Sequence, residues 1–343
     1  MDDDDYKYVR YPREATIFAA ICAVLFCVLG VLGNFVTVLA LIKCPKLRNH
    51  ATTAFVLSLC ISDLLFCTIN LPLTAARYIY EKWILGDALC QLFPVFFYGN
   101  VAVSVLNMVA ITLNRYVLIS CYEYYSKLYS KISICMQLLC TWGIAFLIML
   151  PPLLGIWGQL GLDPSTFSCT ILEKDGKSPK KVIFLIGFAL PCIIIILAYS
   201  CIYCSVRSSK IKLRSHQPMT DARTSRREKD DSRLTKLMAL IFLCFLFCFL
   251  PLMLVNVFDD SIQYPVFHVL ASVLAWASSV INPFIYAASN RQYRSAYKKL
   301  LGMVRSSVDF SESKHSNNSM RSRQDKNQSV SYRPKDSSSN ADV

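Results

Sequence analysis

Charge is scarce in this chain. Asp, Glu, Lys and Arg make up 17% of its 343 residues, against roughly 25% in an average soluble domain, which excludes a water-facing surface along most of its length. Histidine is scarcer still: His50, His216, His268 and His315 are scattered through different loops and ends, so neither a metal-ligand spacing nor the catalytic cluster of a membrane enzyme can be built from them. Only one carboxylate, Asp63, lies deep within an apolar block, and no internal repeat is found. Both points argue against a transporter made of paired broken helices. The start, MDDDDYKYVR, has no basic region ahead of an apolar core, so no cleavable signal peptide is expected; its aspartate run is either native or a tag remnant.

What the chain has in quantity is apolar residues, 54% of the total with a mean hydropathy of +0.41. They fall into seven blocks near 16–42, 51–76, 90–114, 133–156, 182–204, 234–258 and 266–288, each close to or above the ~20 residues a helix needs to cross ~30 Å of hydrocarbon. Lipid offers the backbone no hydrogen bonds, so spans of this length must be helices. An odd number of spans separates the termini. With the N-terminus outside, nine of the 36 basic residues are external, and the other 27, including a dense run from Arg207 to Lys236, are cytosolic. The expected arrangement is an all-α membrane protein in the plasma membrane. It comprises an extracellular N-terminus (1–15), a seven-transmembrane helix bundle (16–288), a cytosolic amphipathic helix (289–301) and a disordered tail (302–343). The basic inner face suits membrane lipids and an acidic protein surface, not nucleic acid.

On this topology thirteen of the fifteen cysteines lie in spans or at their cytosolic edges, where a small apolar filler is the ordinary role. Cys90, opening the third span, and Cys169, in the loop 157–180, are external, and an oxidising exterior should join them. No cysteine follows Cys248, so the tail has no palmitoylation site. The Asn-X-Ser/Thr sequons, Asn317 and Asn327, fall on the cytosolic side.

Costly groups inside spans mark function. Asp63 is either a neutral acid bonded to a neighbouring helix or a cation or proton-linked switch, with Asn34, Ser104, Ser279 and Asn282 as polar neighbours. Pro191, Pro251 and Pro283 are each expected to interrupt a helix and free carbonyls for hinge motion. Arg115, within ITLNRYVLIS, ends the third span and either snorkels to headgroups or awaits a partner.

Taken in order, GNFVTV at 33–38, SDLL at 62–65, WILGDALC at 83–90, Asn114-Arg115-Tyr116, Trp142, Pro191 with Tyr199, CFLP at 248–251 and NPFIY at 282–286 resemble the landmarks of the rhodopsin-like (class A) G protein-coupled receptors over residues 16–300. Finer stretches such as NMVAITLNRYVLIS and VLAWASSVINPFIYAASNRQYR are similar to the insect trapped-in-endoderm and moody receptor group. The resemblance implies a receptor, not an enzyme, that senses an extracellular cue, activates a heterotrimeric G protein and guides cell migration of the germ-cell type. Other readings of the same resemblance are a lipid or peptide receptor in epithelial or glial barrier control and, outside it, a transporter.

Carried over by position, Arg115 meets the G protein when the sixth helix swings about Pro251, Tyr199 and Tyr286 move inward with Asn282-Pro283, and Asp63 with Asn282 holds a sodium ion. Three departures matter. Asn114 stands where the family usually has an acid that pairs with the adjacent arginine; asparagine can hydrogen-bond but cannot form the ion pair, leaving Asp231, or Asp230 beside it, to substitute across the helix gap. Phe249 replaces a frequent tryptophan at the floor of the ligand cavity. Ser278 replaces a frequent asparagine near the cation site.

Phe97 stands where amine receptors carry an aspartate, and Trp276 where an opsin needs its Schiff-base lysine, so neither a biogenic amine nor retinal fits. The expected cavity is lined by Arg77, Phe97, Tyr98, Asn100, Phe249, Asn256, Tyr264, His268 and Trp276, for a lipid, a small hydrophobic molecule or a short peptide. Each of these also has an ordinary packing or rim role open to it. In SNRQYRSAYKKLL at 289–301 basic residues alternate with apolar ones at helical spacing, as for a helix on the inner leaflet. The loop 207–233 is either a G protein-facing surface or a solvated charge run. Tail serines are expected substrates for a receptor kinase, with arrestin as the reader.

Overall fold

The computed structural model describes residues 11–48, 51–215, 222–258, 262–300 and 302, with side chains described there except at 46, 48, 209–231 and 257–258. The chain divides into two compact units, Met1–Arg294 and Ser295–Val343. The first unit holds seven helices long and apolar enough to cross a membrane: α1 (Arg13–Lys43), α2 (Ala51–Tyr80), α3 (Asp87–Ser120), α4 (Lys131–Leu153), α5 (Lys180–Ser208), α6 (Ala222–Phe258) and α7 (Pro265–Ser289). α7 ends at the extended Asn290, and helix resumes over residues 291–300.

Two kinds of face explain the assembly. On α1, Ile21, Val24, Val28, Leu32 and Phe35 are exposed, while Ala19, Ala23 and Gly30 are buried. A large apolar face turned outward suits lipid, and a stripe of small residues lets a neighbouring backbone come close. α1 packs on α2 and α7, α3 on α2, α4 and α5, and α6 on α7.

The prolines behave differently from the sequence expectation. α6 and α7 run unbroken through Pro251 and Pro283. A proline can stay inside a membrane helix where neighbouring helices re-satisfy the freed carbonyl. At Pro191, and at Pro72, which the sequence reading passed over, the helix instead widens into a π turn just upstream, Leu185–Ala189 and Phe66–Asn70. Widening moves the carbonyl that the proline ring would otherwise strike.

The loop after α4 is not irregular. It forms an antiparallel hairpin, β1 (Gln159–Asp163) with β2 (Ser168–Leu172), in the register Gly161 to Thr170 and Leu162 to Cys169. Asp163 Oδ1 closes the turn by accepting from the backbone N–H of Ser165 at 2.9 Å and its hydroxyl at 2.6 Å. The Cys90–Cys169 disulfide ties the hairpin to the start of α3, with Cα atoms 5.2 Å apart. The hairpin was missed because lipid forbids open strands only within hydrocarbon, and this loop lies beyond the spans.

At the same end, Arg13 on α1 pairs with Glu81 at 2.9 Å, and the Thr16 hydroxyl donates to that carboxylate at 2.7 Å. The Thr16 bond, then Arg13, hold the Glu81 carboxyl below its ordinary value. The clamp between α1 and the end of α2 is therefore fully present at neutral pH and is lost as pH falls through that lowered value.

Gly30 marks a tight crossing. A Cβ there would collide with Cys67 Sγ and lie 3.3 Å from Val280 Cγ2, between α2 and α7. Gly30→Ala should cost about 1–3 kcal/mol by overpacking, read as a lower melting temperature of the purified protein. Adding Cys67→Ala should recover part of the loss; no recovery would place the strain elsewhere.

Candidate functional site

Polar side chains buried inside the bundle form two levels along α2 and α3. At the central level the Asp63 carboxylate accepts from Asn282 Nδ2 at 2.8 Å and from the Ser104 hydroxyl at 3.4 Å. The same Ser104 hydroxyl meets Ser62 Oγ at 3.3 Å, and Ser62 donates to the Asn100 carbonyl oxygen at 3.1 Å. α2, α3 and α7 are thereby cross-linked through one carboxylate. A small cavity of about 10 Å³ opens beside it, lined by Asp63, Asn100, Ser104, Ser278, Ser279 and Asn282 on its polar side and by Phe245 and Phe249 on its apolar side.

Two expected residues sit differently. Asn34 does not reach this cavity; its Nδ2 bridges α1 to the Ser279 carbonyl oxygen of α7 at 2.9 Å. Asn100, expected in the outer ligand cavity, faces Asp63 instead. It is buried, and its Oδ1 has no hydrogen-bond donor among the described residues.

Arg115 lies at the second level, 1% exposed and among the largest fully enclosed side chains. Its Nη2 donates to the Thr52 hydroxyl, and that hydroxyl donates to Asn114 Oδ1 at 2.6 Å. Thr52 on α2 thus bridges the two residues that posed the charge problem. Asn114 Nδ2, by contrast, is buried with no acceptor among the described residues.

Asp231 and Asp230, the acids expected to face Arg115, have side chains outside the described residues. Tyr199 lies beside Thr112 and Arg115, with its hydroxyl buried. Tyr286 is completely enclosed and stacks on Tyr293 at 4.9 Å. Tyr116 is half-buried and takes no part in the Thr52 bridge.

At the disulfide end a second cavity, about 880 Å³, is bounded by α2 to α7 and the hairpin. Arg77, Phe97, Tyr98, Phe249, Asn256 and His268 line it as expected. Tyr264 is 60% exposed and Trp276 only 1%; neither lines it. Trp276 instead packs edge-on to Tyr78 at 5.8 Å within the core of α1, α2 and α7.

Phe249 borders both cavities. Its ring lies 4.5 Å from Phe245 and 6.1 Å from Phe188 on α5. One aromatic cluster on α5 and α6 therefore separates the large cavity from the Asp63 level, and Pro191 and Pro251 flank it.

Thr52, Ser62 and Asn100 were not assigned these roles from sequence, yet a signal existed. Thr52 precedes Asp63 by eleven residues and Ser104 precedes Arg115 by eleven, three helical turns that return to the same face.

The profile of the 7 transmembrane receptor (rhodopsin family) matches residues 33–286. Protein trapped in endoderm-1 of Drosophila melanogaster is 56% identical over 313 residues, covering 86% of this chain and 80% of that protein. G-protein coupled receptor moody of the same species is 34% identical over 349 residues, covering 85% of this chain. The chain spans about half of moody's length, 52%. In fold it matches the crystal structure of squid rhodopsin with a TM-score of 0.77, at 22% identity, covering 89% of this chain and 90% of that one.

The Thr52 bridge is testable on its own. Thr52→Val removes an acceptor from Arg115 and a donor from Asn114 and should cost about 1–3 kcal/mol, lowering the melting temperature. Thr52→Ser keeps the hydroxyl and should melt within a degree or two of wild type. Equal losses for both variants would assign the effect to the methyl group's packing.

Proposed function

Because this chain belongs to the rhodopsin family of seven-transmembrane receptors, and is therefore a multi-pass G protein-coupled receptor and not an enzyme, we propose how its two ends divide the work. The disulfide end faces outward at the plasma membrane and admits the ligand. The Arg115 end faces the cytosol and admits the G protein. The threefold excess of Lys and Arg on the Arg115 side supports this orientation.

The observation that carries the reading is the enclosure of Arg115. A guanidinium this deep is costly unless hydrogen-bonded, and here α2 holds it through Thr52. Ligand in the outer cavity displaces Phe249, the α5–α6 aromatic cluster repacks, and α6 swings outward about Pro251. That motion opens the inner end to the C-terminal helix of the G protein. Tyr286, enclosed, and Tyr199, half-buried with its hydroxyl inside, then take up the space and support the open state. Asn282-Pro283 joins the Asp63 level to Tyr286 on one helix.

The oxygen-rich lining beside Asp63, with Asn100 Oδ1 lacking a donor among the described residues, fits a small hard cation. Asp63, Ser104 and Asn100 are the residues that would hold a sodium ion there. When bound, it supplies a positive charge that balances the carboxylate and favours the closed arrangement.

The biological role proposed is guidance of migrating cells of the germ-cell type, supported by 56% identity to the protein named trapped in endoderm-1. Residues 289–301 act as an amphipathic helix on the inner leaflet, and the tail after residue 302 is phosphorylated by a receptor kinase and read by arrestin. The ligand belongs to the lipid, small hydrophobic or short-peptide classes, as the apolar lining of the outer cavity favours.

Nucleotide exchange on a heterotrimeric G protein in membranes overexpressing the receptor tests the core of this. Arg115→Ala should reduce exchange to the level of untransfected membranes; full exchange by that variant would refute the reading. Asn114→Asp places an acid oxygen where an unbonded amide nitrogen now sits, next to Arg115. It should lower basal exchange severalfold and raise the melting temperature, and unchanged exchange would show that this local pair does not set the balance. Replacing choline by sodium at constant ionic strength should lower basal exchange in wild type and have little effect in Asp63→Asn. An equal sodium response in both would remove the cation from the account.

A further inference from the structure

The outer cavity contains an arginine that forms no ion pair among the described residues. Arg77, near the end of α2, lines the cavity. The ion pair formed among the described residues is Arg13 with Glu81, and Arg77 has a different set of neighbours. Its Nη1 donates to the Thr166 carbonyl oxygen of the hairpin turn at 3.2 Å, and its guanidinium carbon lies 4.4 Å above the Tyr78 ring. Tyr78 is itself fixed edge-on between Phe167 and Trp276, at 5.7 and 5.8 Å. The carbonyl and the ring hold the guanidinium plane in one orientation without neutralising it.

That orientation leaves the Nε–Nη2 edge without an acceptor among the described residues, where Nε is buried and unbonded. This is the edge whose two parallel N–H groups match a carboxylate or phosphate side-on. The acids that share the cavity are Asp163 and Glu173. Asp163 is committed to Ser165, and Glu173 is exposed at the far end of the hairpin. Lys180 and Lys181, which open α5, also line the cavity and add positive potential that draws anions inward. The rest of the wall is largely apolar and aromatic, and the cavity volume of about 880 Å³ falls within the usual size for small-molecule sites.

Resting on the receptor reading above, and narrowing its ligand, we propose that this cavity takes an anionic amphiphile. A carboxylate or phosphate head seats on the Nε–Nη2 edge of Arg77, and an alkyl chain lies along Phe97, Met149, Phe188 and Phe249. The chain reaches the ring that separates the two cavities, so head recognition at one end and pressure on Phe249 at the other come from a single molecule. A cationic ligand would face an unscreened guanidinium, and a neutral one would leave its edge unbonded in an apolar enclosure.

The test uses the full-length receptor in neutral phosphatidylcholine nanodiscs, with its melting temperature followed against dodecyl phosphate, dodecanoate, dodecylamine, dodecanol and inorganic phosphate. Dodecyl phosphate or dodecanoate should raise the melting temperature of wild type, whereas dodecylamine, dodecanol and inorganic phosphate should not. Arg77→Gln should need at least tenfold more of the anionic amphiphile for the same shift. Arg77→Lys, which keeps the charge and loses the paired edge, should fall between; it carries the test if Arg77→Gln does not fold.

An equal shift with dodecanol, or an undiminished shift in both Arg77 variants, would overturn the proposal. An equal shift with inorganic phosphate would overturn the alkyl-chain assignment and point to a free anion. Basal nucleotide exchange and its loss in Arg115→Ala require no amphiphile. They report on the receptor reading separately, so either idea can fail while the other stands.

Discussion

Hydrocarbon cannot hydrogen-bond, and seven segments of this protein cross it. Polar groups in those segments have only the bundle to bond with, which turns a few buried side chains into cross-links between helices. Asp63 with Ser104 and Asn282 joins α2, α3 and α7; Asn34 joins α1 to α7; Trp142 Nε1 donates to Ser58 Oγ at 2.9 Å and joins α4 to α2; Thr52 joins α2 to Arg115 on α3. The apolar residues say little about which helix neighbours which, since lipid and protein interior are equally apolar to them. The polar ones, being few and unable to remain unbonded cheaply, fix the neighbours.

This explains what could be read from the chain before its structure. The number of spans, their approximate limits and the Cys90–Cys169 bridge follow from length, hydropathy and sidedness, properties that a single segment carries by itself. The polar levels are pair properties. Asp63 was recognisable alone because it is a lone carboxylate, and Arg115 because it is a cation at a span end. Thr52 is an unremarkable residue until α3 is beside it, and Asn100 reads equally well on a ligand wall or facing Asp63. Its position within the helical period decides between these, and a periodicity argument applied only to apolar residues did not reach it. Trp276 failed for the opposite reason: a large aromatic near the mouth of a bundle can fill a core as readily as line a cavity, and here Tyr78 claims it.

The prolines show the same division. Each is visible in the sequence and each removes a backbone donor, but whether the helix breaks, widens or continues depends on what surrounds it. At Pro72 and Pro191 a π turn absorbs the misfit. At Pro251 and Pro283 the helix continues, and Pro283 Cγ lies 3.1 Å from where a Cβ on Gly33 would stand, so α1 braces α7 at that point. A proline held against a neighbouring helix is a fixed feature, whereas Pro251 lies two residues from Phe249, the ring that borders both cavities. The physical case for motion about Pro251 therefore rests on its neighbours more than on the proline itself.

Asn114 completes the argument about cost. In a pair of adjacent residues at the end of a span, an acid beside Arg115 would neutralise it locally and leave α2 little to do. With asparagine there, charge neutralisation must come from elsewhere, while the Thr52 hydroxyl, donor to one residue and acceptor from the other, supplies hydrogen bonds without charge. Such a bridge is directional but weaker than an ion pair in the same enclosure. With asparagine beside Arg115, a neutral hydroxyl on α2 and not an adjacent carboxylate links Asn114 and Arg115 to the second helix, and the seven-helix frame is left untouched.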